Sequence, residues 1–315
     1  MKQYLVVGLF GALLLIDMWP VNKRYLDKDN FERKKNMEVP FEKSFADEKI
    51  LEDQALSYRV FYLGEQIDKS ARTAYFHKSI AGYHGAKFRR FQELVDYQLT
   101  PERDGFVQLL SNQPDNFALN VALRQLKNLN MLNTKYIIYD LNSEPLVNYN
   151  ALGNAWFVNE HMLVRDADEE ITALNNYDPA TQAIVDQRFN DQLAGYEEGI
   201  DSTGYILLNG YTPKHLTYDY KLDRDQMTIF SEIYYDKGWN AYIDGEIHPH
   251  FRANWLLRGM VLPAGEHTLE FKFEPRSYFI SEKVSMAASW LLLLVIIGGL
   301  VREFMLYRKK ESQTS

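Results

Sequence analysis

Residues 74–94, AYFHKSIAGYHGAKFRRFQEL, combine cationic side chains with two glycines, which are the components of an anion-binding site. Gly82 and Gly85 would allow the backbone to approach a ligand closely, and arginine binds phosphate through two parallel N–H donors. The candidate anion-binding residues are His77, Lys78, His84, Lys87, Arg89 and Arg90. A second interpretation is also open, in which the glycines only turn the chain and the cations pair with surplus acidic residues.

A helix beginning near residue 88 decides which of these cations face a ligand. Two phenylalanines at helical spacing in KFRRFQEL are expected to be buried. Lys87 and Arg90, three residues apart, would then project from the same side, while Arg89 would pair with Glu93. The two histidines of the segment lie seven residues apart without a third ligand at a fixed spacing, so no metal site is predicted.

A second group of candidate side chains lies in the strand-rich region after residue 200. Arg252, Asn254 and Arg258 are expected to be exposed and to face a glycan, because planar polar groups satisfy sugar hydroxyls. The aromatic rings of Trp239 and Tyr242 suit the apolar faces of sugars, but alternating aromatics in a β-sandwich favour a core position.

Asp17 and Trp19 form a third candidate, at the end of an N-terminal apolar run. An ionisable residue inside a membrane span is often functional. Because Asp17 lies two residues before Trp19, it is also placed to reach the lipid headgroups. We therefore predict that both residues lie at a membrane interface.

Composition excludes several classes of function. The chain has 315 residues and a net charge of −8, so no cationic excess is available to bind nucleic acid in bulk. There is no cysteine, which excludes disulfides, zinc–thiolate sites and thiol nucleophiles. The sequence also contains no Ser–His–Asp, P-loop or zinc signature, and no cofactor is predicted.

Two apolar segments predict membrane spans at residues 1–20 and 283–302. Residues 284–301, VSMAASWLLLLVIIGGLV, carry no charge and would extend roughly 27 Å as a helix, close to the thickness of a hydrocarbon core. A basic tail at residues 303–315 follows, so the positive-inside rule puts the C-terminus in the cytoplasm. Two spans put both termini on that side. Residues 21–282 are then extracytoplasmic.

The region between the spans divides by its hydrophobic period into three parts. Residues 21–56 read as a charged connector that ends in a short helix, and residues 57–200 as a small α/β domain. Within the latter we predict helices at residues 88–99, 117–132, 168–175 and 179–188, and strands at residues 57–63, 135–139 and 155–164.

Residues 201–282 read as an antiparallel β-sandwich. Short alternating runs are separated by turn signals there, and Asp244-Gly245 predicts a tight hairpin. The predicted fold class is α+β, with the α/β domain and the β-sandwich lying between two transmembrane helices.

Four long runs in the sequence resemble a known family. The runs are YFHKSIAGYHGAKFRRFQEL, MLNTKYIIY, ALGNAWFV and SEIYYDKGWNAYIDGEIHPHFRANWLLRGMVLPAGEHTLEFKFEP. In this order they resemble the C-terminal part of YfhO-type bacterial membrane proteins, and the resemblance extends from residue 16 onward. Members of that family are many-helix proteins of the inner membrane, similar in architecture to the GT-C membrane glycosyltransferases.

The resemblance implies a role outside the cytoplasm in transferring sugar from a polyprenyl-phosphate carrier to a cell-envelope polymer. It also implies that the chain is a C-terminal portion. The upstream helices and the first outward loop, where GT-C enzymes hold their catalytic carboxylate, have no counterpart here. Expected partners are membrane lipid, a polyprenyl-phosphate sugar, an envelope glycan and the N-terminal multi-helix portion. The alternative function is a non-catalytic glycan-binding or structural module of the envelope.

Overall fold

A computed structural model describes residues 2–25, 31 and 39–314 of the chain. Residues 26–30 and 32–38 of the predicted charged connector lie outside the described residues, and so do the side chains of Arg308, Lys309 and Lys310 in the basic tail. The chain forms two compact units, Met1–Ser44 and Phe45–Ser315. Each unit is described by itself.

The first unit contains helix α1, Lys2–Tyr25. Within the described residues, the second unit contains the remaining α-helices, which are α2 (Phe45–Ile50), α3 (Arg72–Phe76), α4 (Arg89–Leu94), α5 (Thr100–Ser111), α6 (Asn116–Gln125), α7 (Lys127–Met131), α8 (Ala167–Ala173) and α9 (Arg276–Thr314). A π-helix, Val95–Leu99, joins α4 to α5, and a 3₁₀ helix covers Gln187–Leu193.

Fourteen strands of the second unit form three sheets in the described part of the chain. They are β1 (Arg59–Tyr62), β2 (Thr134–Ile138), β3 (Leu146–Val147), β4 (Ala155–Phe157), β5 (Glu160–Val164), β6 (Gln182–Asp186), β7 (Tyr205–Thr212), β8 (His215–Leu222), β9 (Gln226–Ile233), β10 (Trp239–Ile243), β11 (Glu246–His248), β12 (Phe251–Ala253), β13 (Leu257–Leu262) and β14 (Gly265–Phe273).

The strand orders are β1-β2-β3, β11-β10-β14-β8-β7 and β4-β9-β13-β12-β6-β5. The five-stranded sheet is antiparallel throughout. The six-stranded sheet is antiparallel except for β5, which runs parallel to β6. The fold class is therefore mixed α+β, as predicted.

The six-stranded sheet curls strongly, and the segment from β4 to β5 shows why. Only two residues separate these strands, yet β4 pairs with β9 at one edge and β5 pairs with β6 at the other. The three Cα–Cα steps from Phe157 to Glu160 span at most about 11 Å, so the two edges must approach each other. Where the sequence predicted one strand at residues 155–164, the structure has two strands separated by Val158 and a bend at Asn159.

The β-sandwich is formed by the five-stranded sheet packing against part of the six-stranded sheet. Its core takes Tyr218 and Phe271 from the first sheet and Phe230 and Met260 from the second. Strand β9 is buried on both faces, because Phe230 points into the sandwich while Ile229 packs in the core on the helical side. Strands β4, β5 and β6 precede residue 200 but belong to the same sheet as β9, β12 and β13, which follow it. Residue 200, where the predicted α/β domain ends, therefore does not separate two sheets.

The helical side carries a larger core that joins the six-stranded sheet to the helices. Leu94, Leu99 and Leu129 pack there with strand residues such as Val185 and Leu257. A smaller cluster places α2 against β1 and β2. Strands β1 and β2 confirm the strands predicted at residues 57–63 and 135–139, and the helices predicted at residues 88–99 and 168–175 are also confirmed. The helix predicted at residues 117–132 is divided at Leu126 into α6 and α7.

The helix predicted at residues 179–188 is wrong. The segment forms strand β6, in which Ile184 and Val185 are fully buried, followed by the 3₁₀ helix. Residues with β-branched side chains fit a pleated, buried surface better than a short helix. The structure also has a helix, α5, that the periodicity did not predict.

The hairpin predicted at Asp244-Gly245 is confirmed. Strands β10 and β11 pair with Ile243 opposite Glu246, so these two residues form the turn. Both have positive φ, 50° and 87°, as a type I′ turn requires.

The chain has two helices long and apolar enough to cross a membrane, Leu5–Tyr25 and Arg276–Leu306. Their large apolar side chains are exposed along most of both helices. Such surfaces suit a lipid environment, and the two helices flank the β-rich region as predicted.

Candidate functional site

The predicted anion-binding side chains are held by different protein groups. His77 lies 3.0 Å from Oδ1 of the buried Asp47. Lys78 donates to Ser57 Oγ at 3.0 Å, and its Nζ lies 3.1 Å from the centre of the Tyr211 ring. The side chains of His77 and Lys78 therefore do not project toward Arg90, whose carboxylate partner is Glu170.

His84 and Lys87 lie in the loop that precedes α4, where His84 is exposed and Lys87 is partly buried. The backbone N–H of Ala86 donates to Nδ1 of His84 at 3.1 Å. The next cation, Arg89, has a side chain that is 91% exposed and pairs with Glu93 at 2.8 Å. The predicted Arg89–Glu93 pair is confirmed.

Arg90 points inward, opposite to the prediction. Its Nη1 donates to Glu170 Oε2 at 2.9 Å and to the carbonyl of Trp255 at 3.2 Å. The guanidinium also lies 4.0 Å from the centre of the Trp255 ring. Burial lowers the pKa of Arg90, and the neighbouring Glu170 charge opposes that effect.

Arg90 belongs to a network of charges around the buried Glu170. Arg252 donates to Glu170 at 3.0 Å and to Asp186 at 3.2 Å, and Arg188 pairs with Asp186 at 2.8 Å. Burial alone would raise the pKa of Asp186, but its hydrogen bonds and the Arg188 charge lower it overall. The network ties α4, α8, β6 and β12 together.

The prediction that Arg252, Asn254 and Arg258 are exposed is wrong, because all three are buried. Asn254 exchanges two hydrogen bonds of 2.8 Å with the backbone of Ile184, so it serves the sheet. Arg258 donates to the carbonyl of Ile233 at 3.2 Å and stacks on Trp239. Burial lowers the pKa of Arg258 to about 10.

The turn between β12 and β13 is strained at two adjacent residues. Asn254 and Trp255 have φ of 47° and 72°, which is uncommon for residues other than glycine, and especially for a bulky one. Trp255 is held there because its Nε1 donates to the carbonyl of Arg90 at 2.6 Å and its backbone N–H donates to Glu170 at 3.2 Å. Strain of this kind concentrates at functional sites.

The π-helix Val95–Leu99 follows α4 directly and places two further polar groups beside this turn. The Tyr97 ring is 65% exposed, whereas Gln98 is buried and donates to the carbonyl of Ile171 at 3.2 Å. Short π-helical segments are rare in proteins, and those that occur are often found at functional sites.

These elements enclose a cleft of about 640 Å³, which we call the Arg90 cleft. Two polar rows line it, one on α4 and the π-helix and one on α8 and the turn that follows α8. The first row is Arg89, Glu93 and Tyr97, and the second is Asp168, Thr172 and Asn175. Arg89 and Glu93 share one face of α4, and Asp168 and Thr172 share one face of α8, because each pair is four residues apart in an α-helix. Arg90, Gln98 and Trp255 also line the cleft.

A smaller cavity of about 200 Å³ also borders Arg90. Phe88, Phe91, Tyr234 and Leu256 contribute most of its apolar lining, together with Arg252. Three of the predicted glycan-facing or anion-binding residues, Arg89, Arg90 and Arg252, thus line this cavity.

The Arg90 cleft has the chemistry of a saccharide site. The exposed Tyr97 ring can cover an apolar face of a sugar, and carboxylate, amide and guanidinium groups can bond its hydroxyls. Its volume lies within the usual range of about 300–1,000 Å³ for small-ligand sites. Among the described residues, no group of three or more His, Asp or Glu side chains is placed to hold a metal ion.

Several residues were not predicted, namely Tyr97, Gln98, Asp168, Thr172 and Asn175 of the cleft and Glu170 of the buried network beside it. Their only signal in the sequence is helical spacing of polar residues within two predicted helices, and spacing alone does not show that the helices face each other. Asp17 and Trp19, by contrast, lie on α1 and are exposed, with Lys23 Nζ 6.0 Å from the centre of the Trp19 ring.

A second cleft, of about 930 Å³, lies between α6, α7 and the segment that leads into β6. The side chain of Tyr149 is 85% exposed at its edge, and Asn150 and Asn176 add amide groups. None of the residues of the Arg90 network lines this second cleft, so a substitution here can serve as a control for substitutions in the Arg90 cleft.

No protein-family model, curated protein or solved structure matches this chain.

Proposed function

We propose that the Arg90 cleft binds a saccharide of the bacterial cell envelope close to the membrane surface. The observation that carries this proposal is the pair of polar rows across the cleft, together with an exposed ring on a π-helix. The buried network around Glu170 supports it, because two arginines hold both walls of the cleft in fixed positions.

The position of the cleft relative to α9 supports a site near the membrane. Phe88 lines the small cavity beside Arg90, and its ring lies 5.5 Å from the Tyr235 ring. Tyr235 in turn lies 6.5 Å from Phe273, the last residue of β14 before α9. A saccharide carried by a membrane lipid would therefore have a short path to the cleft.

We further propose that the chain is a multi-pass protein of the bacterial inner membrane, with α1 and α9 as its spans. In this proposal the second unit lies outside the cytoplasm up to α9, and both termini lie inside. The basic residues that follow the apolar part of α9 support this orientation.

The resemblance to YfhO-type proteins leads to the reaction we propose for the complete protein, which is transfer of sugar from a polyprenyl-phosphate carrier to an envelope polymer. The contribution proposed for this chain is binding. Arg89 is the cation placed to meet a phosphate at the rim of the cleft, because its side chain is exposed whereas Arg90 is committed to Glu170.

Binding is tested with the full chain in detergent. An array of envelope-type oligosaccharides identifies a ligand, and calorimetric titration then compares variants. Tyr97→Ala should weaken binding about fivefold to tenfold, because stacking on an aromatic ring is worth about 1 kcal/mol. Asn175→Ala should act similarly. Tyr149→Ala, in the second cleft, is the matched control.

The control also separates the two clefts. Weaker binding in Tyr149→Ala with unchanged binding in Tyr97→Ala would place the saccharide in the second cleft. Absence of binding to every oligosaccharide on the array would favour a structural role for the chain.

The proposed topology has its own test, because the chain contains no cysteine. Single cysteines at Glu266 and Ser315 are treated with a membrane-impermeant maleimide in spheroplasts. The proposal predicts labelling at 266 before lysis and labelling at 315 only after lysis. The reverse pattern, or labelling of both sites before lysis, contradicts it.

A further inference from the structure

A short connection fixes the point at which α9 emerges from the β-sandwich. Only two residues separate Phe273 of β14 from Arg276 of α9. The backbone N–H of Glu274 donates to the carbonyl of Gly238 at 2.6 Å, so the connection is held against the start of β10. If α9 enters a membrane, this end of the sandwich lies nearest to it.

Residues 83–88, which we call the interface loop, end at Phe88, and Phe88 lies at the same end of the sandwich. The Phe88 ring reaches Phe273 through Tyr235, with centres 5.5 and 6.5 Å apart in the two steps. The Tyr83 side chain is 73% exposed, and Phe88 is about half exposed. Two large aromatic residues in one short loop are thus left to solvent close to the base of a helix with an apolar exterior.

The composition of the loop suits the headgroup layer. Tyrosine is enriched at membrane–water interfaces because its ring is apolar and its hydroxyl is polar. Lys87 can extend its ammonium to a lipid phosphate while its stem stays along apolar surface. A Cβ on Gly85 would meet nothing within 4 Å, so open space surrounds the middle of the loop.

We propose that the interface loop docks on the headgroup layer of the bilayer that α9 enters, with Tyr83 and Phe88 inserted. This inference rests on the membrane-spanning part of the proposed function and not on saccharide binding. Docking on lipid differs from both interpretations of the glycines and cations in this segment, which were anion binding and a simple turn with paired charges. It also fixes the orientation of the cleft, because α4 and Arg89 follow the loop directly.

The test uses the full chain reconstituted in phosphatidylcholine–phosphatidylglycerol vesicles that contain a lipid with a quencher on its headgroup. Gly85→Cys carries a fluorophore in the loop. Glu266→Cys is the matched control at the far end of β14, where the side chain is exposed and roughly 25 Å of strand separates it from Phe273. Quenching at 85 should exceed quenching at 266 about threefold or more, since the headgroup layer is only about 5–8 Å thick.

A third variant shows that the loop's own side chains are responsible. Adding Tyr83→Ser and Lys87→Ser to the Gly85→Cys protein should at least halve the quenching, and the melting temperature should stay unchanged because Tyr83 is exposed. Unchanged quenching with the fold intact would overturn the proposal, as would equal quenching at 85 and 266.

Flotation of the vesicles after a carbonate wash distinguishes failure of this inference from failure of the proposed function. A chain that floats but shows equal quenching at both labels overturns only the docking of the loop. A chain that does not float overturns the membrane spans and the docking together. Saccharide titration is independent of both results.

Discussion

Replacing Arg90 by alanine distinguishes a structural cation from a ligand-binding one, and its neighbour Arg89 is a matched control. The two residues are adjacent and carry the same side chain, but Arg90 is 27% exposed and contacts a fully buried carboxylate, whereas Arg89 is 91% exposed. The sequence predicts that Arg90 faces a ligand, and from that position Arg90→Ala would weaken ligand binding with little effect on folding. The structure predicts the opposite order of effects.

The magnitude follows from the partners that Arg90 leaves behind. Removing one member of a buried ion pair costs about 3–5 kcal/mol when the other charge is left uncompensated. Glu170 keeps Arg252 at 3.0 Å, and Arg90 is partly solvated. A smaller loss, about 2–3 kcal/mol, is therefore expected for Arg90→Ala. The exposed Arg89–Glu93 pair should contribute about 0.5 kcal/mol or less.

Thermal unfolding of the full chain in detergent, followed by near-ultraviolet circular dichroism, measures the difference. A loss of 2–3 kcal/mol corresponds to a fall of about 5–10 °C in the melting temperature of a unit of this size. Arg89→Ala should stay within about 1–2 °C of the wild type. If both variants melt together, or if Arg89→Ala melts lower, the assignment of Arg90 to the fold is refuted.

Three further predictions concern stability in the same assay. Burial raises the pKa of Glu102 from 4.5 to about 7. The protonated side chain therefore contributes its full stability below about pH 4.5, and this contribution is lost as the pH rises through 7. Glu102→Gln should flatten this part of the profile of stability against pH, and a profile unchanged from the wild type would contradict the prediction. Gly245→Ala should lose about 1–2 kcal/mol because of its positive φ, whereas Gly105→Ala in α5 should gain about 0.5–1 kcal/mol; equal effects would disprove the type I′ turn. For Arg258→Met, the free energy of unfolding should stay within about 1 kcal/mol of the wild-type value or exceed it, because methionine keeps the contact with Trp239 without burying a charge. A loss of several kcal/mol would show that the charge of Arg258 itself stabilises the sandwich.

Features that depend on neighbours in the chain were predictable from the sequence. The apolar terminal segments form the two long helices, and the alternating runs after residue 200 form strands. The Asp244-Gly245 turn and the Arg89–Glu93 pair also follow their local patterns. In each case the partners lie within a few residues of one another, so chain geometry alone brings them together.

Features that depend on distant partners were decided by the tertiary structure. Arg90 and Arg252 turn inward because Glu170, 80 and 82 residues away in the chain, supplies a buried carboxylate between them. A buried charge is tolerated only where such a partner is present. Neither arginine carries a local sign of that partner.

Dependence on distant partners also explains why the sequence did not reveal the Arg90 cleft or the strand at residues 182–186. The spacing of Tyr97 and Asn175 places each on one face of a helix, but only the packing of α8 against the π-helix makes those faces the walls of one site. Residues 179–188 likewise have enough helical character to mislead, and they become strand β6 because β5 and β12 offer hydrogen-bond partners on either side. Local sequence determined which elements could form here, and long-range pairing of buried polar groups decided where they meet.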